Sequence, residues 1–211
     1  MLDTDINNTT VDSERLILEA AEAEFLAKGF DGARTTTIAE RAGVTHAMLH
    51  YYFRTKENLF DKVLEAKSAE LRCVFLGFLD NADLPFLQRI ELGMRNHFHF
   101  LSKNPGLPLF IINELRRENS KVTNHLLLNR DTAGQMVESL QDAIDTAASR
   151  GECQPVDAMM LMLDIISLNA CPFIGSPMIA TIFPVTASDR EEFLNKRLEE
   201  NVQTILNKLK P

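Results

Sequence analysis

Tryptophan is absent from this chain of 211 residues, tyrosine occurs twice and cysteine three times. The cysteines, Cys73, Cys153 and Cys171, are too few for a disulfide framework and too scattered for a Cys-x-x-Cys metal site. We therefore expect reduced thiols that lie mostly in the core, and we expect neither a metal nor another cofactor.

Features of secretion or of a membrane span are also missing. The first twelve residues, MLDTDINNTTVD, have neither the basic start nor the apolar run of a secretory signal. The longest uncharged stretch, residues 165–188, is interrupted by three prolines, a glycine and an asparagine, well short of the roughly 20 apolar residues that cross a bilayer. The sequence thus predicts a cytoplasmic protein with no membrane partner.

Common catalytic motifs are absent too, including the phosphate-binding loop G-x-x-x-x-G-K, the dinucleotide fingerprint G-x-G-x-x-G and the nucleophile elbow G-x-S-x-G. The best enzymatic signal is His46 with His50, whose spacing lets both imidazoles reach one metal ion. Zinc hydrolases carry a glutamate after the first histidine, whereas Ala47 stands there in this chain. A metal-dependent enzyme is therefore an alternative, but we expect the protein not to be an enzyme.

Positive charge is scarce overall and concentrated in one segment. The chain has 22 Lys and Arg against 30 Asp and Glu, a net charge of −8. Residues 41–56, in contrast, contain three basic residues and no acidic one. Because the remaining acidic chain repels a polyanion, any contact with nucleic acid should be confined to this segment.

The same region has the pattern of two short helices joined by a tight turn. Threonines at 35–37 can cap a first helix, and its apolar face is made by three residues: Ile38, Ala39 and Ala42. Gly43 can end that helix with left-handed backbone, and Thr45 can cap the next one. This arrangement is typical of a helix-turn-helix, whose second helix fits a DNA major groove.

The second helix, about residues 45–52, has two predicted faces. We expect three residues to point toward the protein: Met48, Leu49 and Phe53. We expect four others to remain outside: His46, Ala47, His50 and Tyr52.

These residues resemble the DNA-binding headpiece of the TetR family of transcriptional regulators. The segment ILEAAEAEFLAKGFDGARTTTIAERAGV is similar to that family's first helix, glycine-aromatic corner and second helix, and HYYFRTKENLF is similar to its closing signature. The resemblance covers residues 13–60 strongly. The rest of the chain resembles the family only in size and helical character.

The resemblance implies specific DNA contacts. By register, His50, Tyr52 and Lys56 would contact phosphates, and the start of the recognition helix would face base edges with Thr45, His46 and Ala47. We add Thr36, at the start of the preceding helix, to the predicted DNA-binding residues. Two departures are visible: His50 replaces the usual tyrosine, and Arg34 stands where a serine or threonine often caps the second helix.

The predicted fold is all-α, with about nine helices. We divide the chain into a disordered leader at 1–12, a three-helix helix-turn-helix DNA-binding domain at 13–58, and a helical effector-binding and dimerisation domain at 59–211. Helices of this body are predicted at about residues 56–79, 85–101, 107–117, 126–149, 156–171 and 189–209.

Two body helices are unusual for a monomer. Residues 159–168 have hardly any polar face, and a helix that is apolar all round must be buried all round. TetR-like proteins dimerise through a four-helix bundle, so the resemblance implies a homodimer. Its predicted contacts are Met162, Ile166, Leu194, Leu198, Val202 and Ile205. The alternative places both helices inside one monomeric core.

A pocket for a small-molecule effector is predicted around the segment MRNHFHF, residues 94–100, which mixes aromatic and imidazole side chains. The candidate lining residues are Phe75, Phe78, Met94, His97, Phe98, Phe110, Asn113, Met136 and Met159. Further candidates are His99, Phe100, His125, Asn169 and Phe173. The alternative is that the aromatics are simply core residues and the histidines are exposed or hydrogen-bonded.

The sequence therefore predicts a cytoplasmic, homodimeric regulator that binds double-stranded DNA at a near-palindromic operator. The resemblance implies a repressor whose operator affinity is changed by an effector. A second alternative is a TetR-like module that has lost DNA binding and contacts proteins instead.

Overall fold

The computed structural model describes residues 3–76, 83–117, 130–183 and 189–211. Within these ranges the chain forms ten α-helices and no strand, which confirms the all-α fold. The helices are α1 (Asp3–Gly32), α2 (Thr35–Ala42), α3 (His46–Phe53), α4 (Lys56–Leu76), α5 (Phe86–Lys103), α6 (Leu107–Leu115), α7 (Arg130–Ser149), α8 (Ala158–Ile174), α9 (Ser176–Ile182) and α10 (Arg190–Leu209).

The chain divides into two compact units. The N-terminal unit comprises Met1–Ala69 and Phe110–Leu127, and the C-terminal unit comprises Glu70–Leu109 and Leu128–Pro211. The divisions after Ala69 and after Leu109 fall inside helices α4 and α6. The domain boundaries at residues 12 and 58 stay predictions, although α1 already begins at Asp3, within the expected leader.

Aromatic rings form the centre of the N-terminal unit. Phe60 of α4 meets Phe25 edge-on with ring centroids 4.8 Å apart, Phe30 at 4.9 Å and Phe110 at 6.1 Å. Such edge-to-face pairs add stabilisation beyond simple burial of area. They join α1, α4 and the end of α6 into one core.

A glycine allows α1 to bend before α2. Gly29 has φ 68° and ψ 178° in the middle of helical residues, a region that L side chains rarely adopt. A Cβ atom at this position would also lie 3.1 Å from Oε1 of Glu114. The chain therefore needs glycine here to form the corner 29–31 between α1 and α2.

In the C-terminal unit, α5, α8 and α10 pack together and α7 packs on α8 and α5. Their facing stripes bury the apolar residues Ile90, Met94, Phe98, Ile144, Leu161, Ile165, Phe173, Val202, Ile205 and Leu209. Helix α5 shows the expected amphipathic pattern, with its apolar side turned into this core.

Helix α8 is longer than predicted. It runs through Pro172 to Ile174, so the predicted end at residue 171 is wrong. Proline has no N–H to give to the carbonyl of Leu168, four residues earlier. The side-chain amide of Asn201 on α10 donates to that oxygen instead, at 3.0 Å, which lets the helix continue.

Candidate nucleic-acid interface

The turn between α2 and α3 has the geometry that the sequence predicts. Gly43 adopts φ 68° and ψ 24°, and its N–H points to the carbonyls of Ala39 and Glu40. The N–H of Val44 donates to the carbonyl of Ala39 at 3.0 Å. This closure ends α2 within one residue, so α3 starts at a fixed angle to it.

Helix α3 is held by its cap and by two buried side chains. Oγ1 of Thr45 accepts from the N–H of Met48 at 3.2 Å, which confirms the predicted cap. Leu49 and Phe53, four residues apart, are buried. Met48, in contrast, is 38% exposed. The prediction that it points inward is wrong because it lies about 100° around the helix from Leu49.

The outer face of α3 carries His46, Ala47 and His50, all exposed as expected. Tyr51 is 79% exposed, whereas the predicted Tyr52 is partly buried. Sequence reasoning missed Tyr51, although it stands two residues after the buried Leu49, on the opposite side of the helix.

The two histidines on this face are linked to the scaffold. Nε2 of His46 lies 3.0 Å from Oγ1 of Thr35, which connects the starts of α2 and α3. Nδ1 of His50 lies 2.8 Å from the carbonyl oxygen of Arg54 and must therefore donate to it. Only a positively charged His50 ring then has a second N–H, on Nε2, to give to a phosphate.

The remaining predicted residues flank α3. Thr36 is exposed in the first turn of α2. Lys56 begins α4, and its Nζ lies 4.8 Å from the centroid of the Phe30 ring and 3.4 Å from the main-chain oxygen of Asp31. The structure thus brings all seven predicted DNA-binding residues into the N-terminal unit, on or beside the two helices of the motif. Their roles at DNA stay predictions.

A buried carboxylate compensates for the missing cap of α2. Arg34 occupies the cap position but makes no side-chain cap hydrogen bond. Glu24 of α1, which is buried, accepts from the Arg34 N–H at 3.4 Å and from Nζ of Lys28 at 2.7 Å. The Lys28 ammonium holds the pKa of the Glu24 carboxyl below its usual value, which keeps a negative charge at the positive end of α2.

The predicted effector-pocket residues do not form one site. Met94, His97 and Phe98 lie together in the C-terminal unit, where the amide of Asn169 donates to the Met94 carbonyl at 3.0 Å and to Nδ1 of His97 at 3.3 Å. Met136 is also buried there. Further members of this interior are Phe100 and Phe173.

Other predicted pocket residues lie elsewhere. Phe110 belongs to the aromatic core of the N-terminal unit, and Asn113, His99 and Met159 are exposed, so they line no interior site in the described protomer. The Phe75 side chain, Phe78 and His125 lie outside the described part of the chain. A surface groove of about 280 Å³ lies between α1 and α4, and none of the predicted residues lines it.

The predicted dimer contacts also separate into two groups. Leu198, Val202 and Ile205 are buried in the core of their own protomer, because their stripe on α10 faces α5 and α8. Met162, Ile166 and Leu194 remain partly accessible. The outer side of α8 exposes Met159, Met160 and Leu163, each by about half, so α8 is not buried all round in one protomer.

Two further features bear on other chemistry. Among the described residues, no group of three or more His, Cys, Asp or Glu side chains is placed to hold a metal ion. No single described helix has the length and hydropathy to cross a bilayer. Helices α8 and α9 meet both criteria only when they are taken together, and they are bent by 61° relative to each other.

Comparison with known proteins agrees with this geometry. Residues 17–63 match the family model of bacterial regulatory proteins, tetR family. The HTH-type transcriptional regulator YdgC of Bacillus subtilis (strain 168), itself uncharacterized, is 28% identical over 46% of this chain. The match spans 51% of YdgC, about half of that relative's length.

Two longer similarities extend into the body. The nucleoid occlusion factor SlmA of Vibrio cholerae serotype O1 is 26% identical over 75% of this chain and 81% of its own. The solved structure of HlyIIR, a hemolysin II transcriptional regulator, superposes with a TM-score of 0.62 at 19% identity, covering 96% of this chain and 99% of that one. With the helix-turn-helix geometry above, the family match shows that residues 17–63 form a DNA-binding domain of the TetR type, and the structural similarity shows that the chain shares the fold of such regulators.

Proposed function

We propose that this regulator binds a near-palindromic operator in double-stranded DNA as a homodimer. The observation that carries the proposal is the outer face of α3, which displays His46, Ala47, His50 and Tyr51 without an acidic side chain. Arg54 and Lys56 follow at once in the chain. In a protein of net charge −8, this is where a polyanion meets the least repulsion.

Within this proposal, the residues divide by role. The start of α3, with Thr45, His46 and Ala47, reads base edges in the major groove, because the first turn of a recognition helix enters deepest. Thr36, His50, Tyr52 and Lys56 contact phosphates and set the register. Tyr51 is added to the second group because its side chain, which carries a phenol hydroxyl, is 79% exposed.

The dimer follows from two needs. Two recognition helices must stand roughly 34–36 Å apart to enter successive major grooves. The exposed apolar stripe of α8, with Met159, Leu163 and Ile166, requires a cover. Leu194, which is partly accessible, lies on α10, the helix that packs beside α8. A second copy of the chain meets both needs.

We further propose that the protein is a cytoplasmic repressor controlled by a small molecule bound in its helical body. The dimer then exists in two conformations that differ in the spacing of the headpieces. The operator binds one of them more tightly, and the effector binds the other. A coupling of about 1–3 kcal/mol suffices to weaken operator binding roughly 5- to 150-fold. An effector that binds the body without changing operator affinity would contradict this coupling.

The first test is selection from random duplex DNA by the purified protein at two salt concentrations. We expect an inverted repeat to be enriched, with weaker binding at higher salt because phosphate contacts release counterions. Lys56→Ala should weaken binding to all sequences alike. The matched control is Lys62→Ala, on the same helix but paired with Glu65 at 2.8 Å, which should bind as the unsubstituted protein does.

A second candidate function has one observation in its favour: the Vibrio cholerae relative is described as a nucleoid occlusion factor. If this chain acts in that way through its helix-turn-helix, it should still enrich a DNA sequence in the selection but should not change expression of genes beside its sites. If a folded, dimeric protein enriches no sequence, the headpiece instead serves protein partners.

A further inference from the structure

The end of α6 belongs to the DNA-binding unit, although it lies more than fifty residues beyond the helix-turn-helix in sequence. Glu114 is buried, and its Oε1 accepts from the N–H of Phe30 at 3.0 Å. Its Oε2 accepts from Arg117 at 2.6 Å. The last turn of α6 therefore holds the corner 29–31 that connects α1 to α2.

The same corner holds two cations. Nζ of Lys56 lies 4.8 Å from the centroid of the Phe30 ring, and the Arg117 guanidinium lies 5.2 Å from it. Lys56 also reaches the main-chain oxygen of Asp31 at 3.4 Å. Arg117 binds the carboxylate of that residue at 2.8 Å.

Asp31, whose main-chain oxygen Lys56 contacts, can therefore compete with DNA for this lysine. Its side chain is 76% exposed, and its negative charge stands beside the lysine that the proposed function assigns to a phosphate. Arg117 neutralises this charge. Without Arg117, the carboxylate would attract the Lys56 ammonium and so compete with a phosphate for it.

We infer that Arg117 is a positioning residue for DNA binding: by pairing with Asp31 it leaves the Lys56 ammonium free to exchange the Phe30 corner for a backbone phosphate. This inference rests on the proposed phosphate contact of Lys56. It assigns a role in DNA affinity to a residue outside the segment that resembles the family's headpiece.

The test is a double-mutant cycle measured by fluorescence anisotropy with a mixed-sequence duplex of about 30 base pairs, long enough for two major-groove contacts. Phosphate contacts act on any sequence, so this probe needs no known operator. Arg117→Ala should raise Kd roughly 3- to 10-fold, the scale of an exposed charge pair counted once per headpiece. In a Lys56→Ala background, the same substitution should have no further effect.

Charge, rather than shape, is expected to restore binding. Arg117→Lys keeps the positive charge and should bind within about 2-fold of the unsubstituted protein. Asp31→Asn combined with Arg117→Ala should return to the same range, because the competing carboxylate is gone. The matched control is Arg116→Ala, which removes one exposed positive charge from the turn just after α6 and should leave Kd unchanged.

Thermal unfolding of each variant separates this role from loss of structure, since Arg117 also binds the buried Glu114. The inference is overturned if Arg117→Ala weakens binding equally with and without Lys56, or if Asp31→Asn fails to restore binding in a folded variant. If Lys56→Ala alone binds as tightly as the unsubstituted protein, the phosphate contact itself is wrong, and the proposed function must be revised first.

Discussion

At the scale of single residues, His97 makes a prediction about stability and pH. Burial lowers the pKa of His97 from 6.5 to about 4, and Asn169 donates to its Nδ1, which fits only an unprotonated nitrogen. The unfolded chain therefore binds a proton more readily than the folded one as pH falls. Stability is complete above the unfolded value and is lost progressively from about pH 6.5 toward pH 4.

The expected loss between pH 7 and pH 5 is about 2 kcal/mol from this one group, measurable by urea unfolding at each pH. His97→Gln should flatten that part of the profile. His99→Gln, on the same helix but exposed, is the control and should keep the slope. A His97→Gln protein whose stability falls as steeply over this interval would refute the assignment.

Residues whose role is set by their immediate neighbours were predictable. Gly43 and Thr45 act within three or four residues of chain, and Leu49 and Phe53 share a helical face, so short-range pattern was enough. Glu24 could not be predicted because it acts on Arg34 across the α1–α2 corner. The exposure of Tyr51, in contrast, could have been predicted in the same way as the burial of Leu49, because it lies about 200° around the helix from that residue.

At the scale of elements, Pro172 makes a second prediction. Helix α8 passes through this proline because Asn201 donates to the carbonyl that proline leaves unpaired, and Asn201 also donates to Oδ1 of Asn169 at 3.0 Å. Asn201→Leu removes both donors from a buried site. We expect a loss of about 1–3 kcal/mol in the free energy of unfolding, measured by urea denaturation.

Restoring the missing N–H should reduce that loss. Pro172→Ala lets residue 172 donate to Leu168, so combining it with Asn201→Leu should cost less than the sum of the two single changes. Asn207→Leu, at an exposed position of the same helix, serves as the control and should change stability by less than about 0.5 kcal/mol. Strict additivity of the two substitutions would show that Asn201 does not compensate for the proline.

The helix ends show why sequence predicts elements only in part. Pro85 and the residues after Ser149 mark the ends of α5 and α7 as expected, since proline and glycine act locally. The end of α8 was missed because its stop signal, Pro172, is overridden by a residue 29 positions later in the chain. Long-range hydrogen bonds of this kind leave no local trace in sequence.

At the scale of the whole molecule, we expect the apolar side of α8 to decide the oligomeric state. Met159 and Leu163 are about half exposed, whereas Leu198 and Val202, predicted for the same interface, fill the protomer's own core. A glutamate at position 163 would place a charge in a desolvated apolar contact if α8 is covered by a second copy. We therefore expect Leu163→Glu to convert a dimer into folded monomers of 23.8 kDa, measured by light scattering.

Two comparison variants make the result specific. Leu109→Glu places the same charge at a leucine of similar exposure on α6 and should leave the dimer intact. Val202→Glu buries the charge in the protomer core and should unfold the chain, which circular dichroism would detect.

Because one headpiece alone makes half of the contacts, the Leu163→Glu monomer should also lose affinity for an inverted repeat far more than for mixed-sequence DNA. A folded Leu163→Glu protein that remains dimeric would move the interface away from α8 and would leave the spacing of the two recognition helices without its proposed basis.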